Sequence, residues 1–167
     1  LFKDHLITIH SKPIRQLKNV LRRVNPLKNV LSLTSDWFVY ALLDDVVDEF
    51  MPGIKSMEFE VEAIDDLVLF LKRTNQTEML RRIGRARNQV NQLIRLLKPK
   101  NEIINILTKR HVQKFQEHTL LYLRDTQDHL MTMIQNLEQN SETLNRSHNN
   151  YLAQISIELA EMSNRMN

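Results

Sequence analysis

The chain has no cysteine, and only two glycines and four prolines among its 167 residues. The absence of cysteine excludes a disulfide framework, a thiolate metal site and a thiol nucleophile. So few glycines and prolines argue against an all-β fold, which needs many tight turns. No apolar run approaches the ~18 residues required to span a bilayer. No signal-peptide pattern stands at the start. There is no Gly-x-Ser-x-Gly elbow, no Gly-rich phosphate loop and no His-Glu-x-x-His. No catalytic constellation emerges, so the chain is not expected to be an enzyme.

What is present is charge, unevenly placed. Charged residues make up 26% of the chain and apolar residues 42%, a balance that suits a globular domain rather than a disordered one. Between Asp36 and Asp66 ten acids stand against the single base Lys55. Between Lys72 and Arg110 the balance reverses, with Arg81, Arg82, Arg85, Arg87 and Arg95 at its centre. Successive blocks of opposite sign suggest helices that face each other. The basic block has no interleaved aromatic residues to stack bases, so no nucleic-acid partner is expected. Several acids form i,i+4 like-charge pairs (Asp44/Asp48, Asp45/Glu49, Glu58/Glu62, Glu62/Asp66). These repulsions call for solvation, for facing arginines, or for hard divalent ions.

Apolar spacing sets the elements. Leu6-Ile7-Thr8-Ile9 alternates like a short strand. Ser11 and Pro13 open a helix over about 13–24, stopped by Asn25-Pro26. Thr34-Ser35-Asp36 starts the next. Val39, Leu43, Val46, Phe50, Ile54, Met57, Val61, Ile64 and Val68 then keep helical phase through Pro52-Gly53. That phase predicts one helix, 35–72, kinked near Met51, with two helices meeting at Pro52 as the alternative. Thr77 caps a third helix, 77–108, in which Pro99 either kinks the helix or opens a turn. The spacing therefore predicts an all-α fold with at most one short N-terminal β segment. A long antiparallel helical hairpin packs on a very long C-terminal helix, 111–167.

That last helix would be roughly 80 Å long, against an expected domain diameter of about 35–45 Å. Something outside the chain must cover part of it. Leu130, Leu137, Leu144 and Tyr151 repeat every seven residues. The companion positions Met133, Asn140, Ser147 and Gln154 turn polar, which suits a wet second stripe facing water or a polar channel. His118, Asp125, Asp128 and His129 lie close together on the same helix. They suit either a metal ligand set or, more simply, an i,i+4 surface pair.

Four stretches carry a resemblance: Leu6-Ile-Thr-Ile-His-Ser-Lys-Pro-Ile14, Tyr40-Ala-Leu-Leu-Asp-Asp-Val-Val-Asp48, Tyr122-Leu-Arg-Asp-Thr-Gln-Asp-His-Leu130 and Asn164-Arg-Met-Asn167. In this order they resemble the CorA family of magnesium transport proteins, nearest to its fungal, eukaryotic-type branch. The resemblance implies the cytosolic funnel portion of a homopentameric Mg²⁺ channel, which senses intracellular Mg²⁺ to gate the pore. The long helix would be a stalk leading to transmembrane helices, and the polar stripe would then turn toward the channel. Asn167 would stand at the cytosolic pore entrance. Glu158 and Glu161 are candidate regulatory Mg²⁺ ligands, because Ser156 stands where some bacterial members have an Asp. The whole protein would be integral to a membrane, the plasma membrane first and the vacuolar or another membrane next. The start at Leu1, without Met, suggests a fragment. The alternative function is a soluble helical-bundle protein that uses the long helix as a coiled coil. The residues after Asn167 discriminate, since a transporter needs about 20 apolar residues there.

Overall fold

The computed structural model describes residues 5–27, 33–70, 76–109 and 115–166. They form five helices: α1 (Arg15–Leu27), α2 (Ser35–Asp48), α3 (Met51–Phe70), α4 (Gln76–Thr108) and α5 (Glu117–Met166). The described residues contain no strand, and none of their helices is long and apolar enough to cross a membrane. Leu6 and Thr8 instead line an apolar pocket of about 470 Å³ with Leu17, Val20 and Phe38. The residues with strand alternation carry no regular secondary structure and lie beside α1 and α2.

Three helix boundaries depart from the spacing argument. The 35–72 helix is two helices, because α2 ends at Asp48 and α3 begins at Met51. The Phe50 N–H reaches back to the Val47 carbonyl at 3.1 Å, a tightened last turn. Pro52 then falls at the second residue of α3, where its missing N–H is one of the four that have no helical partner anyway. Helix α1 runs through Pro26 to Leu27 instead of stopping at Val24. Its final turn loses only the bond to the exposed Arg22 carbonyl. Pro99 lies inside α4, and the carbonyl it frees belongs to Arg95, on the exposed side where water can take it. The long helix starts at Glu117, six residues later than the spacing places it.

The chain divides into two compact units: Leu1–Pro52 with Lys98–Thr132, and Gly53–Leu97 with Met133–Asn167. In the first unit α1 packs antiparallel on α2. Arg23 approaches Asp44 and Asp45 at 3.7 and 3.9 Å, and the Asn19 amide donates to Asp45 at 3.0 Å. Val20, Trp37 and Ala41 form a buried cluster there. Helix α2 buries Trp37, Ala41 and Val47 rather than Val39, Leu43 and Val46. It is flanked by α1 and α5, so most of its circumference is half covered and a single apolar stripe does not identify its inner side.

In the second unit the expected α3 phase holds: Ile54, Met57, Val61, Ile64 and Val68 are buried. On α4, where the spacing puts Leu80, Ile83, Val90, Ile94 and Leu97 on the inner face, Ile83, Val90 and Leu97 are buried and Leu80 and Ile94 half-buried. The basic and acidic helices do face each other at one point. Arg82 grips Glu60 through two hydrogen bonds of 2.7 and 2.9 Å. This fork holds the Glu60 carboxyl below its ordinary range and raises Arg82. Leu137, Leu144 and Tyr151 of α5 are buried against this hairpin.

Candidate functional site

The seam of α5 is more regular than its apolar residues alone reveal. Thr119, Leu123, Thr126, Leu130, Met133, Leu137, Leu144, Ser147 and Tyr151 are all buried. With half-buried Asn140 they step by four and three residues, the 3.5-residue repeat of coiled-coil packing. Four of these ten positions, Thr119, Thr126, Asn140 and Ser147, are polar. A buried hydroxyl must find an acceptor or cost free energy, and for Thr126 and Ser147 the acceptors are aspartates of α2 and α3.

In the first unit, the Thr126 hydroxyl donates to Asp44 at 3.0 Å. The Thr119 hydroxyl faces Asp36, whose carboxylate also accepts the Gln116 backbone N–H at 2.9 Å. Gln116 immediately precedes α5, and its carbonyl accepts the Leu120 N–H to open the helix. Asp36 is therefore both a first-turn residue of α2 and the acceptor for the start of α5. Burial pushes its carboxyl up, but the donors from Gln116, Thr34 and Thr119 outweigh that, and it titrates below its ordinary 3.8.

Between these two contacts Tyr40 stacks on Tyr122, with centroids 5.1 Å apart. Burial, then the neighbouring Asp44, raises the Tyr40 phenol. The next rung faces Asp48 toward His129. Residues 36, 40, 44 and 48 thus meet 116–119, 122, 126 and 129 in order, so α2 and the start of α5 run parallel. The stretches Tyr40–Asp48 and Tyr122–Leu130, read separately in the sequence, are the two sides of one contact.

Partial burial and Asp44 raise the Asp48 carboxyl, against the pull of His129 and Arg23. A raised carboxyl pKa means that ionisation opposes folding, with the penalty fully present above the folded-state pKa. Asp48→Asn should therefore stabilise the chain slightly at pH 7, by a few tenths of a kcal/mol at this exposed site. Below the ordinary carboxyl value of 3.8 the difference should vanish. Chemical denaturation at the two pH values measures it, and a loss of stability at pH 7 would contradict the sign.

The second unit repeats the arrangement. The buried Ser147 hydroxyl lies 2.5 Å from Asp65 of α3 and 2.8 Å from the Thr143 carbonyl, and Arg146 adds a 3.3 Å contact to Asp65. The Asn136 amide donates to Glu58 at 3.0 Å. The polar stripe is therefore not a channel lining at Ser147, which is covered within the chain. Met133 is buried, and Asn140 and Gln154 are half-buried.

The residues expected to meet Mg²⁺ stand at the other end of α5. Glu158 is half-buried and Glu161 exposed, one turn apart. Burial, then the negative charge of Glu158, raises the Tyr151 phenol. Asn167 lies outside the described residues. Among the described residues no cluster of three or more His, Asp or Glu side chains is arranged to hold a metal ion. His129 sits 4.0 Å from Asp125 as an exposed i,i+4 pair, the simpler of its two readings. The sequence argument missed the three hydroxyl–aspartate contacts. The available signal was a Thr or Ser at every polar seam position that meets an Asp.

The family described as CorA-like Mg2+ transporter protein matches residues 1–166. A putative metal ion transporter of Schizosaccharomyces pombe is 41% identical over all of this chain and 29% of its own length. The magnesium transporter ALR2 of Saccharomyces cerevisiae is 34% identical over 99% of this chain and 25% of its own length. The chain thus spans under a third of these curated relatives. The complete structure of the CorA magnesium transporter from Methanocaldococcus jannaschii superposes with a TM-score of 0.77 at 14% identity. That match covers 94% of this chain and 49% of the other, and it shows a shared fold.

Proposed function

The chain belongs to the CorA-like Mg²⁺ transporter family, and on that premise we propose that it is the cytosolic regulatory part of a Mg²⁺ transport channel. In this reading Mg²⁺ is the transported substrate and also the signal that gates the pore. The observation that carries it is the bare end of α5. After Tyr151 no residue is buried through Met166, although Ile157, Leu159, Met162 and Met166 are apolar. An apolar and acidic helix end left uncovered by the described residues fits a stalk shared among copies around a pore, as in a homopentamer. Asn167 would stand at the pore's inner entrance, and the assembled protein would be integral to a membrane.

Glu158 and Glu161 are the proposed regulatory ligands. Mg²⁺ takes six oxygens, several of them from water, and usually one or two carboxylates. Carboxylates of neighbouring subunits repel one another until an ion bridges them, so loss of the ion lets the subunits separate. In the full-length protein, protease protection should rise with Mg²⁺. Glu158→Ala combined with Glu161→Ala should move its midpoint up about tenfold, equivalent to about 1.4 kcal/mol. An unchanged midpoint removes both residues as ligands.

A further inference from the structure

The second unit carries two outward stripes that are exposed among the described residues. On α3 these are Lys55, Phe59, Glu62, Asp66 and Leu69, all exposed and spaced four, three, four, three. On α4 they are Arg81, Arg85, Asn88, Gln92 and Arg95, exposed and spaced in the same way. Each is a second seam on the solvent side of a helix whose first seam is already buried. Phe59 is 70% exposed and Leu69 63%, on either side of the two acids.

The charges are complementary. Glu62, Asp66, Arg81 and Arg95 make no ion pair among the described residues. Arg85 holds Glu78, an exposed pair that is readily exchanged. Glu62 and Asp66 are one turn apart, about 6 Å along the axis, and Arg81 and Arg85 have the same spacing. Within one copy the stripes cannot meet. The sides of α3 and α4 that face each other are marked by Glu60 and Arg82. At 100° per residue, Glu62 and Asp66 lie about 120–160° round α3 from Glu60, and Arg81 and Arg95 about 100–140° round α4 from Arg82.

We propose that the acidic stripe of α3 docks on the basic stripe of α4 of a second copy. The contact is head-to-tail, with different faces from the two partners, so repetition closes a ring where the rotation allows. The apolar Phe59 and Leu69 pack against the stems of the opposing arginines, whose methylenes cover apolar surface while the guanidinium reaches a carboxylate. The inference rests on the homo-oligomer reading above for the identity of the occupant alone. The regulatory ligands at Glu158 and Glu161 play no part in it.

Charge reversal tests it in the full-length protein. Glu62→Arg with Asp66→Arg should weaken self-association about fivefold, the factor two exposed ion pairs supply, and so should Arg81→Glu with Arg95→Glu. Mixing the two variants, or combining all four substitutions in one chain, should restore association, and high salt should weaken the wild type. Unfolding cannot be rescued by mixing, so restoration separates a docking surface from a folding defect. Association that is unaffected by either reversal, or lost in both and not restored, overturns the proposal. In the first of these outcomes the protein still assembles, so the contact fails while the channel reading stands. If the wild-type protein does not self-associate at all, both fail.

Discussion

Asp36→Ala should destabilise the chain by about 3 kcal/mol. Asp36 is 3% exposed, and its carboxylate takes the Gln116 N–H at 2.9 Å and faces the hydroxyls of Thr34 and Thr119. Truncation leaves the start of α5 without its acceptor and removes the carboxylate that the Thr34 and Thr119 hydroxyls face, each costing about 1–2 kcal/mol. For a chain of this length that corresponds to roughly 6–12 °C in melting temperature. The pH dependence has a definite sign. A carboxyl depressed in the folded state stabilises above its unfolded value, and that contribution is lost as pH falls through the folded one. The gap between wild type and variant should be full at pH 7 and should begin to close below 3.8. Thermal melts across this range decide it. A gap that does not change with pH would mean that shape, and not charge, holds the start of α5.

Asn140→Leu should stabilise by about 2 kcal/mol. Asn140 occupies a seam position between Leu137 and Leu144, and its side-chain nitrogen is buried without a hydrogen-bond partner. The Thr126 and Ser147 hydroxyls each meet an aspartate and a backbone carbonyl, whereas this amide donor has no such partner among the described residues. A leucine removes the unsatisfied group and adds apolar contact on both sides. Because the position is only half-buried, the gain comes mainly from the lost polar penalty. Denaturant unfolding with an unchanged slope would register it as a higher midpoint. A lower midpoint would mean that the amide has a partner that leucine cannot replace.

These two residues mark how far the sequence could be read. The heptad of Leu130, Leu137, Leu144 and Tyr151 was legible because a buried apolar stripe repeats at a fixed interval, and all four are buried. The α3 phase from Ile54 to Val68 was legible for the same reason. The break at Glu49–Phe50 was not, because side-chain phase can continue across a turn that the backbone does not. The face of α2 was misread because two neighbours cover it. Asp36 looked like part of a helix start, which it is, but nothing local shows that it also completes a second helix. The partners of Thr126 and Ser147 were invisible for a related reason: a hydroxyl in a seam shows that it needs an acceptor, but not where the acceptor lies. Glu158 and Glu161 were placed by resemblance, and the described residues provide no ligand cluster around them.

The parallel run of α5 beside α2 and α3 also bears on how the chain acquires its shape. Thr126 meets Asp44 and Ser147 meets Asp65 at the same separation of 82 positions, and Gln116 meets Asp36 at 80. Within a unit, a single loop closure of that length brings its later rungs into register. The entropy of closing it is lost once, since loop cost grows only with the logarithm of length. For a helical protein these are distant contacts, which predicts slow folding for its class. During synthesis at roughly 5–20 residues per second, α2 must wait about 4–16 s for its partner to emerge. Trp37 and its neighbours have α1 to cover them in that interval, and the antiparallel α1–α2 pair is the local unit that is available first.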